Sequence, residues 1–316
     1  MEELVRECYG FRVVCSVHPE AREVVDRFFG SGSPEVIPEP AQVVRLTFDV
    51  VDGAGVPSVD PPHTEEVIAA DPITIDTGNS RAVISPGEWA ATITLARGDL
   101  GDQIVWGRWI LERLFLYLVC RSPWHYPLHA GAIGLGGQVA LVSAPTGTGK
   151  STFSFWCLHR GAELLGEDIM VRHTDDPSGT VWGYPRVVYL DPDTVARSGE
   201  LDPALITEIH SGKKCRVQLP EALTGRLRSR TRADSVVFLV RDGSTGVREL
   251  SVDEAVERCR DDFGTGKPDA AVLAAVEADL RSLLETLPVR EFSLSGDLDE
   301  CFDGMRALMR APQAVG

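Results

Sequence analysis

The stretch Ala144-Pro-Thr-Gly-Thr-Gly-Lys-Ser-Thr152 decides how the chain is organised. It follows the apolar run Gln138–Ser143, which predicts a strand, and it leads into Lys150–His159, which predicts a helix ended by Gly161. A glycine-rich loop between a strand and a helix offers backbone N–H groups to an anion at the positive end of the helix. We therefore predict an α/β fold in which this loop binds phosphates.

Each residue type in the loop meets a requirement of nucleotide binding. Gly147 and Gly149 permit a left-handed backbone that turns successive N–H groups into one concavity. Lys150 supplies a cation for the β- and γ-phosphates, and Ser151 supplies a hydroxyl for Mg²⁺, so ATP and Mg²⁺ are the expected cofactors. The predicted nucleotide-binding residues of the loop are Thr146, Gly147, Thr148, Gly149, Lys150, Ser151 and Thr152.

One residue departs from the usual pattern Gly-x-x-x-x-Gly-Lys-[Ser/Thr]. Ala144 stands where that pattern has its first glycine. A methyl group narrows the backbone angles that are allowed there, and Pro145 adds stiffness. We expect the phosphate cradle to persist in a divergent form.

Two adjacent acids, Glu167 and Asp168, follow the loop helix and are flanked by short apolar stretches. Neighbouring side chains on a strand point to opposite faces, so two acids that serve one site require a bend or a strand end. Gly166 permits such a bend. One acid would hold magnesium and the other would act on the acceptor. Taken alone, the pair fits a solvated turn at a strand end equally well.

The order of these features resembles the HPr kinase/phosphorylase family and its relatives, which include serine kinases and kinases that tailor lasso peptides. The resemblance covers about Leu128 to Val171. It consists of His129 before a small residue, a strand, the phosphate loop, a helix ending Arg160-Gly161, and two acids after Leu-Leu-Gly. The family has Asp-Asp where this chain has Glu-Asp. Residues 1–122 lie outside the resemblance.

The resemblance implies a phosphoenolpyruvate-carboxykinase-like mixed-sheet P-loop core. Glu167 falls at the family's catalytic base, Asp168 at the magnesium ligand beside Ser151, and His129 at the active-site histidine, with Lys150 on the phosphates. The reverse use of the two acids remains open. Without the resemblance, a histidine entering an apolar strand is more often a hydrogen-bonded core residue.

Three further cations are candidates for stabilising the transferred phosphoryl group: Arg186, Lys213 and Lys214.

The pattern of elements predicts two domains. Residues 1–122 form a smaller α/β domain, with strands such as Phe11–Val17 and a buried helix at Gln103–Cys120, and residues 123–316 form the kinase-like domain. Leu128–Ile133 is predicted to be a single strand of the second domain. The first domain fits a scaffold, a dimerisation surface or a substrate-recognition module equally well, so a homo-oligomer stays open.

The composition limits the partners. A formal net charge of −16 opposes binding to nucleic acid or to an anionic membrane. The seven cysteines include no C-x-x-C pair, and the Met-Glu-Glu start has no secretory features. We therefore expect a cytoplasmic protein with neither a nucleic acid nor a membrane partner.

The leading functional hypothesis is an ATP- and magnesium-dependent kinase. Its acceptor would be a hydroxyl of a peptide or protein serine, or of a small metabolite, in a biosynthetic pathway. The alternatives are an ATP-binding switch or assembly module without catalysis, an ATPase that acts on water, and an HPr-type protein serine kinase/phosphorylase.

Overall fold

The structure is a computed structural model that forms two compact units. It describes residues 1–30, 42–55, 65–67, 71–122, 124–174, 179–184, 187–198, 206–209, 214–219, 226–227, 229–242, 246–260 and 270–310. One unit comprises Met1–Ser122 with Ile209–Gly212, and the other comprises Pro123–Glu208 with Lys213–Gly316. Both are mixed α/β structures. None of the helices in the described ranges is long and apolar enough to cross a membrane.

The first unit is built on one mixed sheet. Its strands are β1 (Glu2–Cys8), β2 (Phe11–Val17), β3 (Val43–Val51), β4 (Glu65–Val67), β5 (Ile73–Asp76), β6 (Arg81–Ser85) and β7 (Ala90–Ala96). They lie in the order β1-β2-β3-β7-β6-β5-β4, with the β2/β3 and β3/β7 pairs parallel. Alternate residues are fully buried, as in β2 at Val13, Cys15 and Val17, because one face of the sheet packs on a core. The helix α1 (Arg22–Phe29) follows β2.

The predicted helix at Gln103–Cys120 is present but changes type along its length. Ile104–Glu112 is a π-helix, and α2 (Arg113–Arg121) continues it as an α-helix. The indole N–H of Trp106 donates to the main-chain oxygen of Leu100 at 3.1 Å. Most residues of Ile104–Arg121 are buried, in agreement with the predicted buried helix.

The described residues of the second unit form three sheets. Its strands are β8 (His125–Leu128), β9 (Ala130–Leu135), β10 (Gln138–Ser143), β11 (Glu163–Gly166), β12 (Met170–His173), β13 (Thr180–Gly183), β14 (Val187–Leu190), β15 (Ile206–Ile209), β16 (Lys214–Gln218), β17 (Arg230–Arg232), β18 (Ser235–Val240), β19 (Gly246–Glu249) and β20 (Val289–Ser293). Its helices are α3 (Lys150–His159), α4 (Pro192–Ser198), α5 (Val252–Arg260), α6 (Ala270–Thr286) and α7 (Leu298–Arg310). Among the described residues the sheet orders are β11-β9-β10-β18-β20-β19, β17-β13-β12-β8 and β14-β16-β15.

The largest sheet of this unit is mixed and is covered on both faces. β10 is parallel to β18 and antiparallel to β9. Val139 and Leu141 pack in the core that holds α5 and α6, whereas Ala140 and Val142 pack in the core that holds α3 and α7. Because successive side chains point to opposite faces, β10 must be apolar at nearly every position. Its continuous apolar sequence therefore reflects a central strand directly before the phosphate loop.

Candidate active site

The phosphate loop joins β10 to α3. Gly147 and Gly149 have φ values of +85° and +104°, in the left-handed region that favours glycine. The N–H of Thr148 donates to Pro145 O at 3.1 Å, and Phe153 N donates to Gly149 O at 2.9 Å as the first helical bond. The N–H groups of the first turn of α3 thus have no partner within the helix, as at any helix start. This backbone is suited to binding an oxyanion.

Ala144 does not strain the loop. Apart from glycines, the described residues with positive φ are Tyr9 and Trp89, so Ala144 keeps an ordinary backbone conformation. Its side chain is buried and packs in the core that contains Val142 and Phe153. The methyl group replaces the usual glycine without requiring a backbone angle that alanine disfavours.

The histidine and the two acids lie where the chain passes between the same two sheets. The predicted strand at Leu128–Ile133 is interrupted at His129, which separates β8 from β9. Glu167 and Asp168 follow β11, which ends at Gly166, and precede β12. β9 pairs with β11 in one sheet, and β8 pairs with β12 in the other. The two crossings are therefore neighbours, and His129 meets Asp168 there.

Glycines allow the two sheets to approach each other closely at these crossings. A Cβ atom on Gly183 would lie 1.9 Å from Leu165 O, and one on Gly131 would lie 3.0 Å from Gly166 O. Real Cβ contacts are not so short, so a side chain at Gly183 would push the two sheets apart. The bend after Gly166 thus depends on small residues in the strands that face it.

Lys150 joins the loop to the acidic pair. Its side chain is only 6% exposed, and its ammonium donates to Glu167 O and, at 3.2 Å, to Asp168 Oδ1. Asp168 Oδ1 also lies 3.1 Å from His129 Nε2. Partial removal from water would by itself raise the pKa of Asp168, but the hydrogen bond from His129 and the charge of Lys150 outweigh this effect and hold the pKa well below its usual range.

Glu167 has a different environment from its neighbour. Glu167 is buried, with 4% of the residue exposed, whereas the side chain of Asp168 is 54% exposed. Oε2 accepts a 3.5 Å hydrogen bond from the N–H of Tyr189, and Oε1 accepts none from the residues that the structure describes. Burial has the largest effect on Glu167 and raises its pKa, and the charge of Asp168 raises it further. The charge of Lys150 and hydrogen bonds from Ser151 and Tyr189 act in the opposite direction, but the pKa remains raised.

The remaining predicted residues have varied positions. The Thr152 hydroxyl lies 3.0 Å from the hydroxyl of Thr194 in α4. Lys214 forms an ion pair with Asp191 at 3.1 Å, so a carboxylate already compensates its charge. Arg186 and Lys213 lie outside the described residues.

Sequence reasoning missed a cation beside the loop. A Cβ atom built on Gly149 would lie 3.4 Å from Arg241 Nη2, which places this guanidinium next to the phosphate cradle. Arg241 directly follows β18, which runs parallel to β10, so the two strands end at the same sheet edge. The sequence shows Arg241 directly after the apolar strand β18. This position indicates a role at the loop only if β18 is known to pair in parallel with β10.

The residues at the site suit Mg²⁺ held partly by substrate. Within the described ranges, no group of three or more His, Cys, Asp or Glu side chains is arranged to hold a metal ion. Mg²⁺ in nucleotide sites commonly takes one or two carboxylates, and phosphate oxygens and waters complete its shell. The buried Glu167 carboxyl, with the Ser151 hydroxyl beside it, offers such a partial set.

An apolar cleft borders the other side of His129, between the main sheet and α6. Its polar lining comes from His129 and Ser143, whose hydroxyl donates to His129 O at 3.2 Å. The rest of the lining is aliphatic apart from Cys259, and includes Leu128, Leu141, Leu280 and Leu284.

Comparison with known proteins finds similarity among solved structures. No protein-family model and no curated protein matches the chain. A solved structure is similar to it. This is the Hpr(Ser) kinase/phosphatase from Coxiella burnetii, with 8% identity over 58% of this chain and 93% of that chain, and a TM-score of 0.30. Similarity at this level does not indicate an activity.

Proposed function

We propose that residues 123–316 form an ATP- and Mg²⁺-dependent kinase that transfers a phosphoryl group to a hydroxyl of a peptide, a protein or a small metabolite. The observation that carries the proposal is the direct bonding of the loop lysine, Lys150, to an aspartate that is itself bonded to a histidine. A phosphate loop alone also serves switches and ATPases. A carboxylate and a histidine beside its lysine add what proton removal from an acceptor requires.

We also propose that this domain has the phosphoenolpyruvate-carboxykinase-like topology. The support is the neighbourhood of the loop strand, which is antiparallel to β9 on one side and parallel to β18 on the other. Residues 1–122 would then form a separate domain.

The environments of the two acids favour one assignment of roles. Glu167 is buried beside Ser151 and retains an oxygen that accepts no hydrogen bond within the described structure, which suits a magnesium ligand. Asp168 is half exposed and is oriented by His129, which suits a base that must reach an incoming hydroxyl. This reverses the assignment implied by the family resemblance. Mg²⁺, when bound, would neutralise charge on the phosphates.

In this proposal Asp168 gains basicity when the donor binds. Lys150 holds the pKa of Asp168 down by its charge and its hydrogen bond. Phosphates in the cradle would attract Lys150 and so relieve that effect. The Asp168 carboxylate then takes the proton of the acceptor hydroxyl, whose oxygen bonds to the γ-phosphorus as the bond to the β–γ bridging oxygen breaks and ADP leaves.

The test combines a binding measurement with phosphoryl transfer. Wild type, Lys150→Ala, Glu167→Gln and Asp168→Asn are titrated with ATP, with and without Mg²⁺, by calorimetry. We expect Lys150→Ala to lose ATP binding, Glu167→Gln to lose the Mg²⁺ dependence, and Asp168→Asn to bind ATP at least as tightly as wild type does, because phosphates no longer compete with a carboxylate for Lys150. Nucleotide binding that is unaffected by Lys150→Ala would overturn the proposal.

Transfer is followed with γ-labelled ATP, serine-containing peptides and small alcohols, and the products of neighbouring genes, with mass analysis of the labelled product. Asp168→Asn should abolish labelling. ATP binding with no labelled acceptor and no phosphate release would instead indicate a switch. Hydrolysis at full rate without an acceptor would indicate an ATPase.

A further inference from the structure

The lysine of the phosphate loop is already engaged by a carboxylate. Lys150 is the loop's own cation, and Asp168 accepts a hydrogen bond from it at 3.2 Å. Lys214, a further cation predicted for the site, is compensated by Asp191. A nucleotide triphosphate remains anionic after it binds one Mg²⁺. A site that binds it in a partly buried cradle therefore requires a further cation that is not already paired.

Arg241 is held at the right place to be that cation. Main-chain and side-chain bonds fix the residues on both sides of it: Leu294 N donates to Val240 O at 2.8 Å, and Ser293 Oγ donates to Asp242 Oδ2 at 2.9 Å. These bonds attach the end of β18 to β20. The backbone at Arg241 is thus positioned by the sheet and not by an isolated loop.

The side chain of Arg241 is also available. It is exposed, and it forms no ion pair with any residue that the structure describes, although its Nη2 lies near Gly149. Arg248, on the next strand, differs because it is bonded to both Glu254 and Glu291. A guanidinium offers several donors in one plane and can bind a phosphate through two of them at once.

We infer that Arg241 binds the phosphates of the nucleotide from the solvent side of the loop and stabilises the charge on the transferred group, while Lys150 acts from the buried side. The inference rests on the proposed function. Phosphoryl transfer depends mainly on positioning and on such charge stabilisation, and an arginine in this role commonly contributes a large share of the rate.

The test compares Arg241→Gln and Arg241→Lys with wild type, and uses Arg281→Gln as a matched control. Arg281 is a partly exposed arginine of the same unit, and its ion pair with Asp253 joins α6 to α5, away from the phosphate loop. We expect Arg241→Gln to weaken ATP binding about tenfold and to slow Mg²⁺-dependent ATP turnover about 10²- to 10³-fold. Arg241→Lys should recover part of both losses, because it restores the charge without the planar donors.

The outcomes separate the inference from the proposed function. Thermal unfolding first establishes that each variant is folded. If Lys150→Ala loses ATP while Arg241→Gln binds and turns over ATP as Arg281→Gln does, the role of Arg241 is refuted and the proposed function stands. If wild type binds no nucleotide, both are refuted. A loss shared equally by Arg281→Gln would also refute a specific role for Arg241.

Discussion

Gly147 and Gly137 provide a matched pair for testing the phosphate cradle. Both have φ of +85°, and a Cβ atom added at either would meet nothing within 4 Å. Alanine at either position therefore introduces backbone strain without a steric clash. That strain is about 1–2 kcal/mol for a residue other than glycine in the left-handed region. The two glycines differ in location: Gly137 lies in the turn between β9 and β10, whereas Gly147 lies in the phosphate loop.

The strain should appear in different measurements for the two variants. Strands on both sides hold Gly137, so Gly137→Ala should lose about 1–2 kcal/mol of stability, or about 2–8 °C of thermal midpoint for a domain of this size. Gly147 is exposed and can relax to a negative φ, but ligand binding must restore the cradle. Gly147→Ala should then keep more of its stability and bind ATP about 5- to 30-fold more weakly.

Calorimetric unfolding without nucleotide and titration with ATP and Mg²⁺ measure both quantities on the same samples. For Gly147→Ala, the stability loss and the binding loss should together amount to about 1–2 kcal/mol, because one strained residue produces both. An affinity equal to that of wild type with no loss of stability would refute the role of the left-handed glycine. Equal loss of affinity in Gly137→Ala would show that the effect is general weakening of the sheet.

Three further predictions follow from individual side chains. Because the folded protein raises the pKa of Glu167 above its ordinary 4.5, stability without ligand should fall as pH rises above about 4.5, and Glu167→Gln should flatten that decline in urea unfolding. Burial, and secondarily the charge of His173, lowers the pKa of His125 to about 3, so the stability present above pH 6.5 should be lost towards pH 3, and less so in His125→Gln. Ala144→Gly should cost about 1–2 kcal/mol, from a lost buried methyl and a looser unfolded chain, and should leave ATP affinity unchanged in the same titration.

The elements around the loop were predictable because local chemistry determines them. The bounds of β10 and α3 agree with the sequence prediction, since a doubly buried strand is apolar throughout and Gly149 starts the helix. β1 was missed for an equally local reason. Its alternation places Arg6 on the buried face, where an ion pair with Asp26 compensates it, so the pattern of apolar residues is interrupted.

Pairing between distant strands could not be derived in the same way. A sequence period reports which face a residue occupies, but not which strand lies beside it. The prediction of one strand at Leu128–Ile133 was wrong because the apolar run continues through two strands that belong to different sheets. The same limitation hid Arg241, whose relation to Gly149 depends on the parallel pairing of β10 with β18.

Lys150 connects these observations under the proposed function. In the structure its ammonium is bonded to the acidic pair, so phosphates must compete with Asp168 for it. Competition lowers the affinity for the donor, but it also makes the basicity of Asp168 depend on whether the donor is present. An additional cation that is not bonded to an acid would recover the lost affinity for the donor. Because it does not contact Asp168, the basicity of Asp168 would still depend on whether the donor is bound. The exposed Arg241 meets this requirement, whereas a second lysine bonded to Asp168 would not.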